Sequence, residues 1–327
     1  MKKITKIFSV FLVLALALQV GCSKNTKDSD VSSKTTSSDW PKKTIQIIVP
    51  YNAGGDTDIY ARSAADKLKE KLGVNIVVVN TPGGSGLVAS KQVMSAKPDG
   101  YTILFSHTAS LVQEASGLAN FSYSDDFKSG GTIAEDATYT MIAKKSKGWN
   151  NLEDVVKAAK ENPVSYSVVF GSSSNYVGNL FENSSGIKLN MIDVGSSAAD
   201  RTAAFLGDQV DLLVVNYMNI KDYIEKGDVV GLGIMSKDRV NNIDIPTFTE
   251  QGYDVVNTKQ YEFRFPKDTD DSIINTFTHA VKEVSENEDF IADLAKFNAQ
   301  AKYRNPEDTV KEDKIEVEKI KEVMQNK

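Results

Sequence analysis

Four short segments combine glycine with small hydroxyl and amide residues: "NAGGDTD" at 52–58, "NTPGGSG" at 80–86, "SHTAS" at 106–110 and "GSSSN" at 171–175. Glycine lets the backbone approach a ligand closely and turn through positive φ, and a helix N-terminus adds unpaired N–H groups and a positive dipole end. Loops of this build hold carboxylates or phosphates without a basic side chain. One Gly-Gly turn is more often only a turn. Four at equivalent places in a repeating pattern point to a shared binding cleft.

Other chemistry has less to work with. The chain holds two histidines, His107 and His279, and one cysteine, Cys22, at its N-terminal end. A His/Cys metal site is therefore not expected, and no carboxylate spacing resembles a calcium loop. No cofactor is expected either. His107 follows a strand-like run and either lines the cleft or packs beside it. His279 falls in an amphipathic helix and reads as a surface or packing residue. Ser106 and Ser110 flank His107 without a Gly-x-Ser-x-Gly setting, so a hydrolase is the weaker class. "GLGIMS" at 231–236 lacks the third glycine of a dinucleotide fingerprint and reads as a relaxed strand.

The elements that must position these loops alternate. Strand-like "TIQIIVP" precedes a helix with Ala61, Ala64, Ala65, Leu68 and Leu72 on one face; "NIVVVN", "GLVASKQVMSA" and "GYTILFS" then read as strand, helix and strand. This predicts an α/β unit with a parallel sheet covered on both faces, its Gly-rich loops at the carboxyl ends of the strands, where such folds bind ligands. A second α/β unit follows through "TYTMIAKKS", "NLEDVVKAAKEN", "VSYSVVFG", "SAADRTAAFLGDQ", "VDLLVV" and "VVGLGIMS". The tail is helical, with Val317, Ile320 and Met324 on one side.

The 327 residues are 41% hydrophobic and 25% charged, ample for two domains. Lys2, Lys3 and Lys6 precede an apolar run from Ile7 to Val20 that is short for a membrane span and has the build of a secretory signal over 1–21. Residues 23–39 are nearly all Ser, Thr, Lys, Asp and Asn and read, from Cys22 on, as a flexible tether over 22–39. The whole chain carries −6; the leader holds three lysines and no acid, which leaves the remainder at −9. Nucleic acid is not an expected partner.

Gly21-Cys22 at the end of the apolar run resembles the lipobox of bacterial lipoproteins, with Gln19 where that pattern prefers an aliphatic residue. It implies lipidation of Cys22 and attachment to the outer face of the cell membrane; the alternative is a plain signal peptide. "IIVPYNAGGDTDIYAR", "VVVNTPGGSGLVAS" and "AKPDGYTILFS", in this order and spacing, resemble the signature segments of the Bug family, the extracytoplasmic solute receptors of tripartite tricarboxylate transporters. "IPTFTEQGYDV" at 245–255 resembles the family's Pro-Thr-x-x-Glu-x-Gly-Tyr segment. The likeness runs from about Trp40 to the C-terminus.

The resemblance implies a two-lobed type 2 periplasmic binding protein fold, a Venus flytrap, with 40–141 and 261–327 in lobe 1 and 142–260 in lobe 2. It implies a small carboxylate ligand held by Tyr51, Asn52, Ala53, Gly54, Gly55, Asp56 and Thr57 of the first loop and by Pro82, Gly83, Gly84, Ser85 and Gly86 of the second. Gly171, Ser172 and Ser173 would meet the ligand's other end from lobe 2. Asp58 is in the family's ligand loop but reads as structural, fixing the loop from the first turn of the helix. Arg62 is spaced to pair with it. Ser106, His107 and Thr108 are further candidates. "IDVGSSAAD" stands where the family often has a Pro-Tyr-Lys-Gly-like segment. Asp56 and Asp193 either add negative charge to the site, which disfavours a tricarboxylate, or face solvent. The implied partners are integral membrane transporter subunits, with the receptor a monomer; a sensor or a receptor for another importer is the alternative.

Overall fold

Strand β1 (Ile45–Val49) serves two cores at once. Ile45, Ile47 and Val49 enter one apolar cluster and Ile48 another, as the two-residue side-chain period of a strand requires. Helix α1 (Asp56–Leu72) lays Tyr60, Ala61, Ala64, Ala65 and Leu68 on the sheet. Full burial of a leucine such as Leu68 is worth about 1.5–3 kcal/mol. Strand β2 (Ile76–Asn80), helix α2 (Leu87–Met94), strand β3 (Thr102–His107) and helix α3 (Ala109–Ala115) continue the alternation, and β2-β1-β3 are parallel. This computed structural model describes residues 40–195 and 198–325. The expected leader, tether and Cys22 lie outside them.

After β4 (Phe127–Asp136) the chain leaves the first sheet, and β5 (Tyr139–Lys144) begins the second, slightly ahead of the expected Met141. The second sheet is built from α4 (Leu152–Glu161), β6 (Ser165–Val168), α5 (Ser173–Ser185), β7 (Asn190–Asp193), α6 (Ala198–Leu206), β8 (Leu212–Asn216), α7 (Lys221–Glu225) and β9 (Val229–Ile234), with strand order β7-β6-β8-β5-β9. The chain returns with β10 (Lys259–Pro266), followed by α8 (Asp271–Ser285), α9 (Glu288–Ala295), β11 (Gln300–Arg304) and α10 (Pro306–Gln325). The first sheet has the order β11-β4-β10-β3-β1-β2.

The expected parallel order is present in β2-β1-β3 and β7-β6-β8, and the strands at and beyond the crossings make both sheets mixed. β10 runs antiparallel to β3 and β4, β11 to β4, and β5 to β8 and β9. The strand β10 escapes an apolar-run reading because Glu262 and Arg264 sit inside it, buried and mutually paired. Arg264 Nη2 donates to Glu262 Oε2 at 2.6 Å and to Asp313 Oδ2 at 2.8 Å, which pins α10 to the first sheet. On the same helix Val317 and Ile320 are buried in a cluster that also holds Tyr166 of β6 and Phe181 of α5. The C-terminal helix thus packs against both lobes.

Candidate functional site

Loops at the carboxyl ends of parallel strands from both sheets face one cavity of about 660 Å³, in the range of small-molecule sites. On the first-lobe side, α1 starts at Asp56 with Gly55 as its N-cap and no side-chain cap. Of its first-turn amides, Thr57 N donates to Asp56 Oδ1 at 2.8 Å, and the N-cap residue satisfies none of them with a side chain. The loop before them is tied down by Asp58, whose Oδ2 accepts from Gly54 N at 2.9 Å and whose Oδ1 accepts from Asn80 Nδ2 at 3.0 Å and pairs with Arg62 Nη2 at 2.8 Å. Asn80 Nδ2 also donates to Tyr51 O at 3.0 Å. Burial alone would raise the Asp58 pKa, but its bonds to Arg62, Gly54 and Asn80 lower it below the ordinary carboxylate range.

The second loop packs directly on the first. Gly86 has φ +110, and a Cβ there would stand 3.2 Å from Pro50 Cβ, so this position suits only glycine. Gln113, from α3, donates Nε2 to Ser85 O, and its Oε1 accepts from Tyr123 OH at 3.0 Å. Gln113 lines the cavity while bracing the loop.

Behind the first loop lies a buried polar chain. Asp56 Oδ2 accepts from Lys259 Nζ and from Tyr261 OH, both at 2.8 Å. Lys259 Nζ also donates to Asn216 Oδ1 at 2.6 Å and stands 4.6 Å from the Tyr139 ring centroid, a cation–π distance. Asn216 Nδ2 passes the chain on to Asp136 Oδ2, which Tyr60 OH also reaches at 3.1 Å. Burial would raise the Asp56 pKa, but the Lys259 charge, with a smaller effect from His107, holds it well below the usual carboxylate range. Burial lifts the Asp136 pKa despite Lys259 and the Thr138 bonds.

His107 lines the cavity with its ring stacked on Tyr51 at 5.0 Å. Its Nδ1 accepts from Ala109 N at 3.1 Å, and burial, then the Lys259 charge, push its pKa down to about 3. The ring is neutral. Ser110 Oγ donates to the His107 carbonyl at 2.9 Å, not to the ring, so the two do not form a nucleophile–base pair.

From the second lobe, Ser172, Ser173 and Ser174 at the start of α5 and Ala198, Ala199, Arg201, Thr202, Ala203 and Leu206 of α6 form the facing wall. Ser172 Oγ caps α5, accepting from Ser174 N at 3.3 Å and donating to Val169 O at 2.7 Å. Arg201 is 7% exposed and lines the cavity, and its Nε and Nη1 have no hydrogen-bond partner among the described residues.

The structure brings Tyr51, Asn52, Ala53, Gly54, Gly55, Asp56, Pro82, Gly83, Gly84, Ser85, Gly86, His107, Ser172 and Ser173 to the cavity wall. Several expected contacts stand behind that wall. Thr57 is wholly buried and its N–H bonds Asp56 Oδ1 at 2.8 Å; Asp58 points back to the loop. Ser106 lies within β3, and Thr108 N is bonded to Gln260 O at 3.2 Å. Gly171 has φ +73, and a Cβ there would meet Leu118 Cδ1 at 2.3 Å, so its glycine serves a close approach of the chains. Asp193 is exposed, bonding Gly195 N at 3.2 Å. The Asp56 side chain is 22% exposed, on the cavity wall, and adds no net charge there, because Lys259 neutralises it. Sequence reasoning missed Lys259, Asn216, Gln113, Tyr139 and Arg201. A lone lysine opening a strand and an arginine within a helix carry no local signal of burial.

The whole chain can be set beside known proteins. It is 26% identical over 288 residues to protein BugT of Bordetella pertussis, covering 85% of this chain and 87% of that protein. The structure of the periplasmic binding protein BugD superposes with a TM-score of 0.77 at 26% identity, covering 88% of this chain and 98% of BugD. MatC from Rhodopseudomonas palustris, solved with bound malate, shares the fold with a TM-score of 0.77 at 21% identity, over 87% and 99% of the two chains. The model of the tripartite tricarboxylate transporter family receptor matches residues 60–327. With the two-lobed fold and that match over most of its length, the chain belongs to the tripartite tricarboxylate transporter receptor family.

Proposed function

We propose that this protein is an extracytoplasmic receptor that takes a small carboxylate into the cavity between its lobes and delivers it to the integral membrane subunits of a tripartite transporter. The observation that carries this reading is the convergence of Gly-rich loops from both sheets on one cavity, with the uncapped N-terminus of α1 in its wall. Helix-end amides attract a carboxylate through hydrogen bonds and the dipole together. Because both lobes contribute wall residues, ligand binds the closed arrangement best and draws the lobes together. The site captures its ligand and does not turn it over. Lipidated Cys22 and the segment up to residue 39 hold the monomeric body at the outer membrane surface.

Mass spectrometry of small molecules released from the purified protein, followed by calorimetry with each acid found, tests the reading. A carboxylic acid bound at one site per chain is the expected outcome. No released acid, with no melting shift across a panel of carboxylates, would sink it.

A further inference from the structure

We infer that Tyr123 is a positioning residue for the second Gly-rich loop: without lining the cavity itself, its hydroxyl works through Gln113 and Ser90 to hold residues 83–86 in a backbone conformation that the loop does not keep unaided. The inference rests on the receptor reading above and adds a residue outside the site on which the shape of the site depends.

The argument begins with backbone strain. Gly83, Gly84, Ser85 and Gly86 have φ of +135, +54, +57 and +110, the only run of successive positive-φ residues among the described residues. Glycine adopts such angles freely, but the Cβ of Ser85 disfavours them. A residue of that kind persists there only where its surroundings over-determine it. Those surroundings are two side chains on the carbonyls that end the run: Gln113 Nε2 donates to Ser85 O, and Ser90 Oγ donates to Gly86 O at 3.1 Å. The Tyr123 hydroxyl joins both, donating to Gln113 Oε1 at 3.0 Å and standing 2.9 Å from Ser90 Oγ. Its bond to Oε1 also decides which end of the Gln113 amide faces Ser85.

Tyr123 is suited to this work because everything but its hydroxyl is fixed by other contacts. It is 1% exposed and absent from the cavity wall, whereas Ser85, Gly86 and Gln113 line it. Glu114 Oε2 accepts from Tyr123 N at 2.7 Å, Arg264 Nη1 donates to Tyr123 O at 2.9 Å, and the ring lies flat against Phe127 at 5.7 Å. Burial pushes the hydroxyl pKa up to about 12, so it keeps its hydrogen at neutral pH. A loop already held in shape loses little further freedom when a ligand binds. The hydroxyl therefore acts on affinity through the loop.

The test compares the full native chain with Tyr123→Phe, Ser85→Gly and the double variant. In unliganded protein, hydrogen exchange of the amides at 83–86, read by NMR, should quicken roughly 10-fold in Tyr123→Phe while those at 53–55 stay unchanged. Calorimetry with the tightest binder among acetate, malate and hexanedioate should show affinity falling roughly 5- to 10-fold in Tyr123→Phe. In the Ser85→Gly chain, where positive φ needs no enforcement, the same substitution should cost less than about 3-fold. A tyrosine that only supported the fold would give the same loss in both backgrounds. Melting curves confirm that each variant is folded; should Tyr123→Phe fail to fold, Ser90→Ala takes its place with the same expected pattern. Unchanged exchange at 83–86, or an equal affinity loss in the Ser85→Gly chain, overturns the inference and leaves the receptor reading standing. If no acid binds the native protein, the receptor reading fails, and the exchange comparison alone decides whether Tyr123 holds the loop.

Discussion

The two walls of the cleft handle charge in opposite ways. On the first-lobe side every charged group is answered from within: Asp56 by Lys259 and Tyr261, Asp58 by Arg62 and the Gly54 amide. The cavity surface there is mainly backbone and neutral rings. On the second-lobe side Arg201 Nε and Nη1 have no hydrogen-bond partner among the described residues. A saturated network holds a wall in place, while an unsaturated group is available for recognition. Under the proposed function the first wall offers the carboxylate a fixed backbone cradle, and the second wall is the part left open to differ.

The contrast breaks most visibly at Lys259. Lys259→Met would leave Asp56 and Asp136 buried without their cation and should lower unfolding stability by about 3–5 kcal/mol in urea titrations. A loss below about 1 kcal/mol would mean that the pair does not hold the first wall.

A second difference is legible in acid. Burial, then the Lys259 charge, keep His107 neutral until pH falls to about 3, whereas an unfolded histidine takes its proton near pH 6.5. Between these values the unfolded chain binds more protons, so the stability present above pH 6.5 is lost as pH falls, about 2 kcal/mol of it by pH 5. Asp56, with its lowered pKa, acts in the same direction at more acid pH. The unfolding free energy of His107→Gln should decline less between pH 6.5 and 5 than that of the native chain. An equal decline would show that the ring is not held neutral by its surroundings.

The smallest effect is expected at Asp193. It is exposed and bonds the neighbouring Gly195 amide, so Asp193→Ser should change stability by less than about 0.5 kcal/mol and leave carboxylate affinity in calorimetry unaltered. A marked gain in affinity would return that acid to the second wall.

Much of the first wall was readable in the sequence because its work is done by backbone geometry, and glycine advertises such geometry. The Gly54-Gly55 and Gly83-Gly84 pairs, the proline before each loop's turn and the i,i+4 spacing of Asp58 and Arg62 are all local patterns. The second wall and the polar chain behind the first are non-local. Lys259 is 203 positions from Asp56, and Asn216 is 80 from Asp136. The strands β4 and β10 were obscured for the same reason: their glycines and charges make sense only once a neighbouring strand or helix supplies the partner. Asp56 shows the cost of reading a residue without its partner, since its charge was visible and its neutralisation was not.

Lys259 opens β10 and Asp136 closes β4, so two members of the polar chain mark the two places where the polypeptide passes between lobes. Asn216, which links them, belongs to the second sheet. In a rigid rotation, displacement grows with distance from the axis, so groups beside the crossings move least. Under the proposed closure, the chain from Asp56 to Asp136 would act like a bearing around an axle, keeping its short contacts while the far wall of the second lobe moved through the larger arc.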